Sequence, residues 1–167
     1  MCGIIGYIGH RNVQEVLLKG LELLEYRGYD SARIALLDME GNVRITKKAG
    51  RVQELAKLCE KQSGRQTCCG IGHTRWATHG GVTDTNAHPH SSGHVTLIHN
   101  GIIENYKELA ASLKTKGFTA ISETDTEVAA MLIDSLYDGD PFAALKEADK
   151  VLEGAYGFCV MFKDHPG

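Results

Sequence analysis

Two short apolar segments separated by a turn sequence constrain the fold of this chain more than any other feature. Residues 31–37 and 43–48 are predicted strands, and Glu40-Gly41-Asn42 between them is typical of a hairpin turn. A hairpin joins antiparallel neighbours, which argues against a simple alternation of parallel strands and helices. We therefore predict an α+β fold in which antiparallel sheets are covered by helices.

Apolar periodicity divides the rest of the chain into further strands and helices. Further strands are predicted at residues 3–9, 67–75, 94–99 and 155–162. Helices are predicted to begin near Asn12, Arg51, Asn105, Thr124 and Asp140, most of them at residues that favour helix starts. The stretch 76–93 has little apolar periodicity and predicts a long functional loop. The chain stops just after its last apolar strand, so the final sheet is expected to be incomplete.

Length and charge restrict the classes of protein to which the chain can belong. Its 167 residues suggest one domain, and 43% hydrophobic with 23% charged residues is ordinary for a globular protein. The net charge is −3 and no basic run interleaves with aromatic residues, so we predict no nucleic-acid partner. The apolar runs are too short to cross a membrane, and no signal peptide is visible at the N-terminus.

The cysteines indicate a reducing compartment. There are five of them, an odd number, and two are adjacent in sequence. They are Cys2, Cys59, Cys68, Cys69 and Cys159. A disulfide framework is therefore not expected, and we predict a cytoplasmic location.

Cys2 is a candidate nucleophile because it directly follows the initiator Met1. Removal of Met1 would place a thiol and a free α-amine on one residue, and that amine has an ordinary pKa of about 8. Such an amine can act as a base for its own thiol near neutral pH. The alternative is a small buried side chain. With Met1 attached the amine is part of a peptide bond, so we predict no turnover in that form.

Arg75 lies where a predicted strand enters the long loop. A guanidinium there can hold a carboxylate through two parallel hydrogen bonds, and Thr78 and His79 can add donors. The alternative for Arg75 is a solvated surface salt bridge. Trp76 either shields a pocket from water or fills the core.

Asn100-Gly101 follows another predicted strand and has two interpretations. An Asn-Gly pair usually forms a turn. Alternatively, the Asn100 amide and the Gly101 backbone N–H stabilise a developing negative oxygen, where one donor is typically worth roughly 3–4 kcal/mol of barrier.

Acidic residues cluster at the start of the helix near Thr124. Thr124 and Glu127 are expected to cap that helix, while Asp125 could instead hold an ammonium group. An arginine for a carboxylate and an aspartate for an ammonium together define a pocket for an α-amino acid.

Six histidines between positions 73 and 99 offer a competing interpretation as metal ligands. Pro89 lies between His88 and His90 and favours extended backbone, so we expect their rings to point apart. No carboxylate or cysteine completes an obvious set, and we predict neither a metal nor another cofactor.

Six segments taken in order resemble one known family, and together they span essentially the whole chain. They are residues 2–6 (CGIIG), 24–32 (LEYRGYDSA), 73–80 (HTRWATHG), 86–90 (NAHPH), 99–105 (HNGIIEN) and 122–127 (SETDTE). This pattern resembles the glutaminase domain of glutamine–fructose-6-phosphate aminotransferase (isomerizing), a class II glutamine amidotransferase of the N-terminal nucleophile hydrolase superfamily. The amidotransferase of purine synthesis, asparagine synthetase and glutamate synthase are related alternatives.

The resemblance implies a four-layer αββα sandwich of two antiparallel sheets, and it implies roles for individual residues. Cys2 would be the nucleophile that forms a γ-glutamyl thioester, with Arg27 supporting it. Asn100 and Gly101 would form the oxyanion hole. Arg75, Thr78 and His79 would bind the glutamine α-carboxylate, Asp125 would bind the α-ammonium, and Trp76 would gate ammonia in a loop that closes over glutamine.

Two departures from the family pattern bear on these expectations. Arg33 stands where the family usually has glycine after Asp-Ser-Ala. The family's glutaminase domain also continues beyond residue 167 and is followed by a sugar isomerase part. We therefore expect residues 1–167 to be one incomplete glutaminase domain.

The expected partners are glutamine and, only through the isomerase part, fructose 6-phosphate. The full-length protein is expected to be a homo-oligomer. The alternative function is a catalytically inactive module that binds glutamine or another protein.

Overall fold

The structure is a computed structural model that describes residues 2–28, 30–60, 66–75, 86 and 88–166. These residues form two antiparallel sheets. The first sheet has the order β1-β4-β2-β3 and consists of β1 (Gly3–Ile8), β2 (Ser31–Asp38), β3 (Val43–Ala49) and β4 (Thr67–Arg75). The second has the order β5-β6-β7 and consists of β5 (His90–Ser92), β6 (Val95–Ile103) and β7 (Gly154–Phe162).

The helices cover the outer faces of both sheets. On the first sheet lie α1 (Val13–Leu24) and α2 (Val52–Glu60), and a short 3-10 helix (Glu25–Arg27) follows α1. On the second lie α3 (Tyr106–Thr115), α4 (Asp125–Leu136) and α5 (Pro141–Asp149). Apolar clusters fill the space under each helix layer and between the sheets. The predicted α+β fold and its four αββα layers are confirmed.

The side chains of strand β2 alternate between two apolar clusters, one on each face of the sheet. All eight of its residues are buried, which fits a strand covered on both faces. Ala32, Ile34 and Leu36 pack under α1 and α2. Ala35 and Leu37 face the second sheet instead. Because side chains alternate along a strand, Arg33 shares the inter-sheet face with Ala35 and Leu37.

The predicted hairpin joins β2 to β3. The Asp38 carboxylate accepts hydrogen bonds from the backbone N–H groups of Glu40 and Asn42, each at 2.9 Å. These bonds satisfy two backbone N–H groups of the turn, which would otherwise bond to water. The hairpin prediction is therefore confirmed.

Side-chain caps begin three of the helices as predicted. Asn12 Oδ1 accepts from Glu15 N at 3.2 Å, Thr124 Oγ1 from Glu127 N at 3.3 Å, and Asp140 Oδ1 from Phe142 N at 2.9 Å. Asn105 differs, because its side chain makes no cap bond to α3. It binds Val151 O at 2.8 Å and so ties α3 to the segment before β7.

Two predictions about the central region are wrong. Residues 76–93 were expected to form only a loop, but His90–Ser92 pair with β6 as strand β5. Their polar side chains conceal the strand, since Ser91 Oγ lies 3.0 Å from Thr96 Oγ1 across the pair. Strand β6 was expected to end at His99, but it continues to Ile103 because all nine of its residues pair with β7. In the described part of the chain, no helix is long and apolar enough to cross a membrane.

Candidate active site

The candidate site is a cleft of about 480 Å³ at one end of the two sheets. Five of the predicted site residues line it, namely Cys2, Arg75, Asn100, Gly101 and Asp125. They come from the start of β1, the end of β4, the middle of β6 and the start of α4. Residues far apart in sequence therefore meet because these chain segments end or pass at the same edge.

Cys2 is placed by close packing of the residue that follows it. Gly3 N donates to Thr74 Oγ1 at 3.2 Å. A Cβ on Gly3 would approach Thr74 Oγ1 to 2.7 Å and Leu24 Cβ to 2.8 Å, so this position has no room for a side chain. The beginning of β1 is thus fixed against β4 and the end of α1, and Cys2 projects from that fixed point.

Asn100 connects the second sheet to Cys2. Its Nδ2 donates to the backbone oxygen of Cys2 at 2.9 Å. The amide has a second N–H, which is not used by this bond. Asn100 Oδ1 is buried and has no hydrogen-bond partner among the described residues.

Gly101 cannot be replaced by a larger residue without moving β7. Its φ of +131° disfavours residues with a side chain. A Cβ there would overlap the Ala155 carbonyl oxygen and approach Tyr156 Cα to 2.7 Å. Asn100 and Gly101 therefore lie inside a strand, and the alternative interpretation of this pair as a turn is wrong.

Asp125 is held at the first turn of α4 with its carboxylate at the cleft. Its Oδ2 accepts from the backbone N–H of Ile103 at 2.9 Å. His99 Nδ1 lies 3.8 Å from its Oδ1. The side chain is 23% exposed, so the carboxylate is reachable from the cleft. A carboxylate at a helix N-terminus is also favoured by the helix dipole.

Glu127 organises the segment before α4. This buried carboxylate accepts from the backbone N–H groups of Ile121 at 3.0 Å and Ser122 at 2.6 Å. Burial opposes ionisation, but the hydroxyl of Ser122 and these backbone donors outweigh it and lower the pKa of Glu127. Thr124 makes the predicted cap of α4, whereas the Glu127 carboxylate bonds to the preceding turn.

Four histidines lie at the cleft or beside it; His73, His90 and His99 are buried and His88 is half-buried. The ring centroids of His73 and His88 are 4.5 Å apart, those of His88 and His90 5.5 Å, and those of His88 and His99 6.1 Å. Burial lowers the pKa of all four, to about 3 for His73 and about 4 for His90. They are therefore neutral at physiological pH.

The expectation that the rings of His88 and His90 point apart is wrong. Both reach the first turn of α4, where His88 Nε2 lies 2.8 Å from Thr126 Oγ1 and His90 Nε2 lies 3.1 Å from Thr124 Oγ1. In the part of the chain that the structure describes, no group of three or more potential ligands is arranged to hold a metal ion.

Arg33 is a buried charged residue near the cleft. It is only 2% exposed and lies opposite His73 in the pairing of β2 with β4. Burial is the main reason why the pKa of His73 is low, and the guanidinium of Arg33 lowers it further. The side chain shares the inter-sheet face of β2 with Ala35 and Leu37, which places it in the layer between the sheets.

Four predicted site residues are not placed at the cleft by the structure. Arg27 lies in the 3-10 helix, 6.0 Å from the centroid of the Tyr26 ring, and is not among the residues that line the cleft. Its supporting role stays a prediction. Trp76, Thr78 and His79 lie outside the described residues.

Sequence reasoning missed the contribution of His88, His99 and Thr126 to this site. A signal was present, because histidines recurred in three of the family segments. Their shared contact at Thr126 depends on how β6, α4 and the segment before β5 are placed in space.

Comparison with known proteins agrees with this geometry. Residues 73–166, more than half of the chain, match the model of the glutamine amidotransferase domain family. Glutamine–fructose-6-phosphate aminotransferase (isomerizing) of Thermus thermophilus is 53% identical over 167 residues, and that of Escherichia coli K12 is 49% identical over 168 residues. Each alignment covers 99% of this chain and 27% of the relative.

A solved structure supports the same relationship. The glutamine phosphoribosylpyrophosphate amidotransferase of B. subtilis matches with a TM-score of 0.81 and 28% identity. The match covers 96% of this chain and 35% of that one. This chain thus spans about a quarter of the length of the curated relatives. Together, the family match, the relatives and the fold establish that the chain belongs to the glutamine amidotransferase domain family.

Proposed function

We propose that this chain hydrolyses the side-chain amide of glutamine and supplies the ammonia for conversion of fructose 6-phosphate to glucosamine 6-phosphate. The observation that carries the proposal is the meeting of Cys2, Asn100 and Asp125 in one cleft with Arg75. A thiol, an amide donor, a carboxylate and a guanidinium are the groups that a glutamine hydrolase requires.

The proposed reaction begins at the Cys2 sulfur after Met1 has been removed. The free α-amine takes the thiol proton, and the sulfur attacks the side-chain carbonyl carbon of glutamine. The carbonyl oxygen becomes negative and is stabilised by Asn100 and the Gly101 N–H. Ammonia leaves with the transferred proton, and water then hydrolyses the γ-glutamyl thioester to glutamate.

The charged groups orient the substrate. Arg75 binds the α-carboxylate, with Thr78 and His79 assisting, and Asp125 binds the α-ammonium. Trp76 and its loop would control the escape of ammonia. Amination of the sugar would require an isomerase part, and the part that this chain matches is only 27% of each curated relative. The higher identity to the fructose-6-phosphate enzymes than to the purine enzyme supports this acceptor. A cytoplasmic location, a single incomplete domain and a homo-oligomeric full-length protein remain predictions.

The first test is ammonia release from glutamine by the full-length protein, with intact mass to establish whether Met1 is present. Cys2→Ala should abolish release, because no other group supplies both the sulfur and the neighbouring amine. Cys68→Ala is the matched control, since it removes another half-buried thiol at the far end of β4. It should leave release unchanged.

Two outcomes would contradict the proposal. Ammonia release that persists in Cys2→Ala would exclude the thioester. Glutamine binding by calorimetry without ammonia release, in protein shown to lack Met1, would support the alternative of a catalytically inactive module, for which the buried Arg33 offers a reason.

A further inference from the structure

The hydroxyl of Thr126 is the point at which three elements meet. Thr126 is the second residue of α4, directly after Asp125, and is fully buried. Its Oγ1 lies 3.0 Å from His99 Nδ1 on β6 and 2.8 Å from His88 Nε2 before β5. It also lies 3.4 Å from Asp125 Oδ1. One oxygen therefore touches two ring nitrogens and a carboxylate.

The number of available protons restricts which atoms donate in the hydrogen bonds of the Thr126 hydroxyl. A hydroxyl carries one proton, and each neutral imidazole carries one N–H. At least one of the two histidines must therefore donate to Thr126. If both donate, the hydroxyl proton is free to point to the Asp125 carboxylate.

The two ring nitrogens that do not face Thr126 support the arrangement in which both histidines donate. His88 Nδ1 and His99 Nε2 are buried and have no hydrogen-bond partner among the described residues. A buried N–H without a partner is rarer in proteins than an unused acceptor. Protons on the nitrogens that face Thr126 leave only acceptors at these two positions, and burial keeps the pKa of both rings low enough for them to stay neutral.

Both carboxylate oxygens of Asp125 are then held. Ile103 N donates to Oδ2 at 2.9 Å, and the Thr126 hydroxyl donates to Oδ1. We propose that Thr126 is a positioning residue for glutamine binding. Its hydroxyl, supported by His88 and His99, orients the Asp125 carboxylate toward the α-ammonium group of the substrate. This inference rests on the proposed function, in which Asp125 binds that group.

The expected consequence is selective for substrate binding. The α-ammonium lies at the opposite end of glutamine from the amide that reacts. Loss of the Thr126 hydroxyl should therefore raise KM and leave kcat nearly unchanged. Damage to the whole site would change both constants.

The experiment measures kcat and KM for glutamine in the full-length protein with Met1 removed. Thr126→Val should raise KM about tenfold, the effect of losing one hydrogen bond to a charged group. Thr126→Ser keeps the hydroxyl and should stay within about threefold of the wild-type KM. Thr96→Val is the matched control, because Thr96 is 3% exposed and its Oγ1 bonds to Ser91 away from the cleft. It should leave both constants unchanged.

A double variant tests whether Thr126 acts through Asp125. Asp125→Asn should raise KM by itself, and adding Thr126→Val should raise it no further, because the two residues form one unit. This comparison stays informative even if Thr126→Val is less stable, since Thr126→Ala can take its place in the cycle.

Each contrary outcome has a distinct meaning. A wild-type KM in Thr126→Val, a lower kcat with unchanged KM, or additive effects in the double variant would each overturn the positioning role alone. A wild-type KM in Asp125→Asn would overturn both the positioning role and the proposed ammonium site, whereas the Cys2 test would still decide whether the chain hydrolyses glutamine.

Discussion

The two ends of the layer between the sheets are built from the same strands with opposite chemistry. At the end far from Cys2, β2 and β4 present Leu37, Cys69 and Ile71 to Ile98 and Met161 of the second sheet. At the near end the same faces present Arg33, His73 and Arg75. The far end gains stability from burial of apolar area, whereas the near end buries polar groups that need specific partners.

The cysteines at the two ends of this layer differ in the same way. Burial, with smaller contributions from Cys68 and Cys159, raises the pKa of the Cys69 thiol to about 12. Cys69 is therefore a protonated packing residue at neutral pH. Cys2 lies at the cleft, half-buried, beside donors from β6. Position in the fold, rather than the thiol itself, separates the proposed nucleophile from a packing cysteine.

The largest expected effect is at the near end and acts on the reaction. Asn100→Ala should lower kcat by roughly 100- to 1000-fold, because one oxyanion donor is worth about 3–4 kcal/mol of barrier. Ile98→Val, two residues earlier on the same face of β6, is the control and should leave kcat unchanged. Steady-state ammonia release measures both variants, and a wild-type kcat in Asn100→Ala would refute the oxyanion role.

Acidification should destabilise the chain through His73 and His90 by about 2 kcal/mol for each histidine at pH 5. The pKa values of His73 and His90 in the folded chain, about 3 and about 4, lie below the ordinary value of about 6.5 for the unfolded chain. The unfolded state therefore binds more protons below pH 6.5, so stability is full above that pH. It falls progressively as the pH drops toward the folded values.

Urea unfolding midpoints between pH 7.5 and pH 5 measure this loss. His90→Gln should remove about one proton from the difference in proton binding between the unfolded and folded states. The slope of the unfolding free energy against pH should therefore fall by roughly 1.4 kcal/mol per pH unit below pH 6.5. Equal midpoints at pH 7.5 and pH 5 in the wild type would show that the near end does not depend on neutral histidines.

The smallest expected effect is at the far end. Ile71→Val removes one methylene from a residue that is 2% exposed, and it should cost about 1 kcal/mol of unfolding free energy. The ammonia release of the folded molecules should not change. A large fall in kcat with this variant would mean that the two ends of the layer are coupled, and the contrast between them would then fail.

Sequence patterns predicted the apolar parts of the molecule better than the polar parts. The hairpin of β2 and β3, the apolar strand β7 and the caps at Asn12, Thr124 and Asp140 follow from local periodicity and local hydrogen bonds. Strand β5 and the extension of β6 depend on pairing with distant residues, which no local pattern contains.

At the site, too, local motifs were predicted from the sequence but contacts between distant segments were not. Cys2, Arg75, Asn100, Gly101 and Asp125 were predicted from short motifs, and all five line the cleft. The meeting of His88 and His99 at Thr126 was not predicted, because it depends on how β5, β6 and α4 are placed in space.

The alternation of side chains along strand β6 limits which insertions and deletions the domain can tolerate. Asn100 and His99 are neighbours in sequence, but one turns toward Cys2 and the other toward α4. Inserting or deleting a single residue between Thr96 and Asn100 would exchange these two directions and disconnect the amide donor from the nucleophile. Natural variants should therefore change length in the segment between α3 and α4 or at the tips of hairpins, while the number of residues in this strand stays constant.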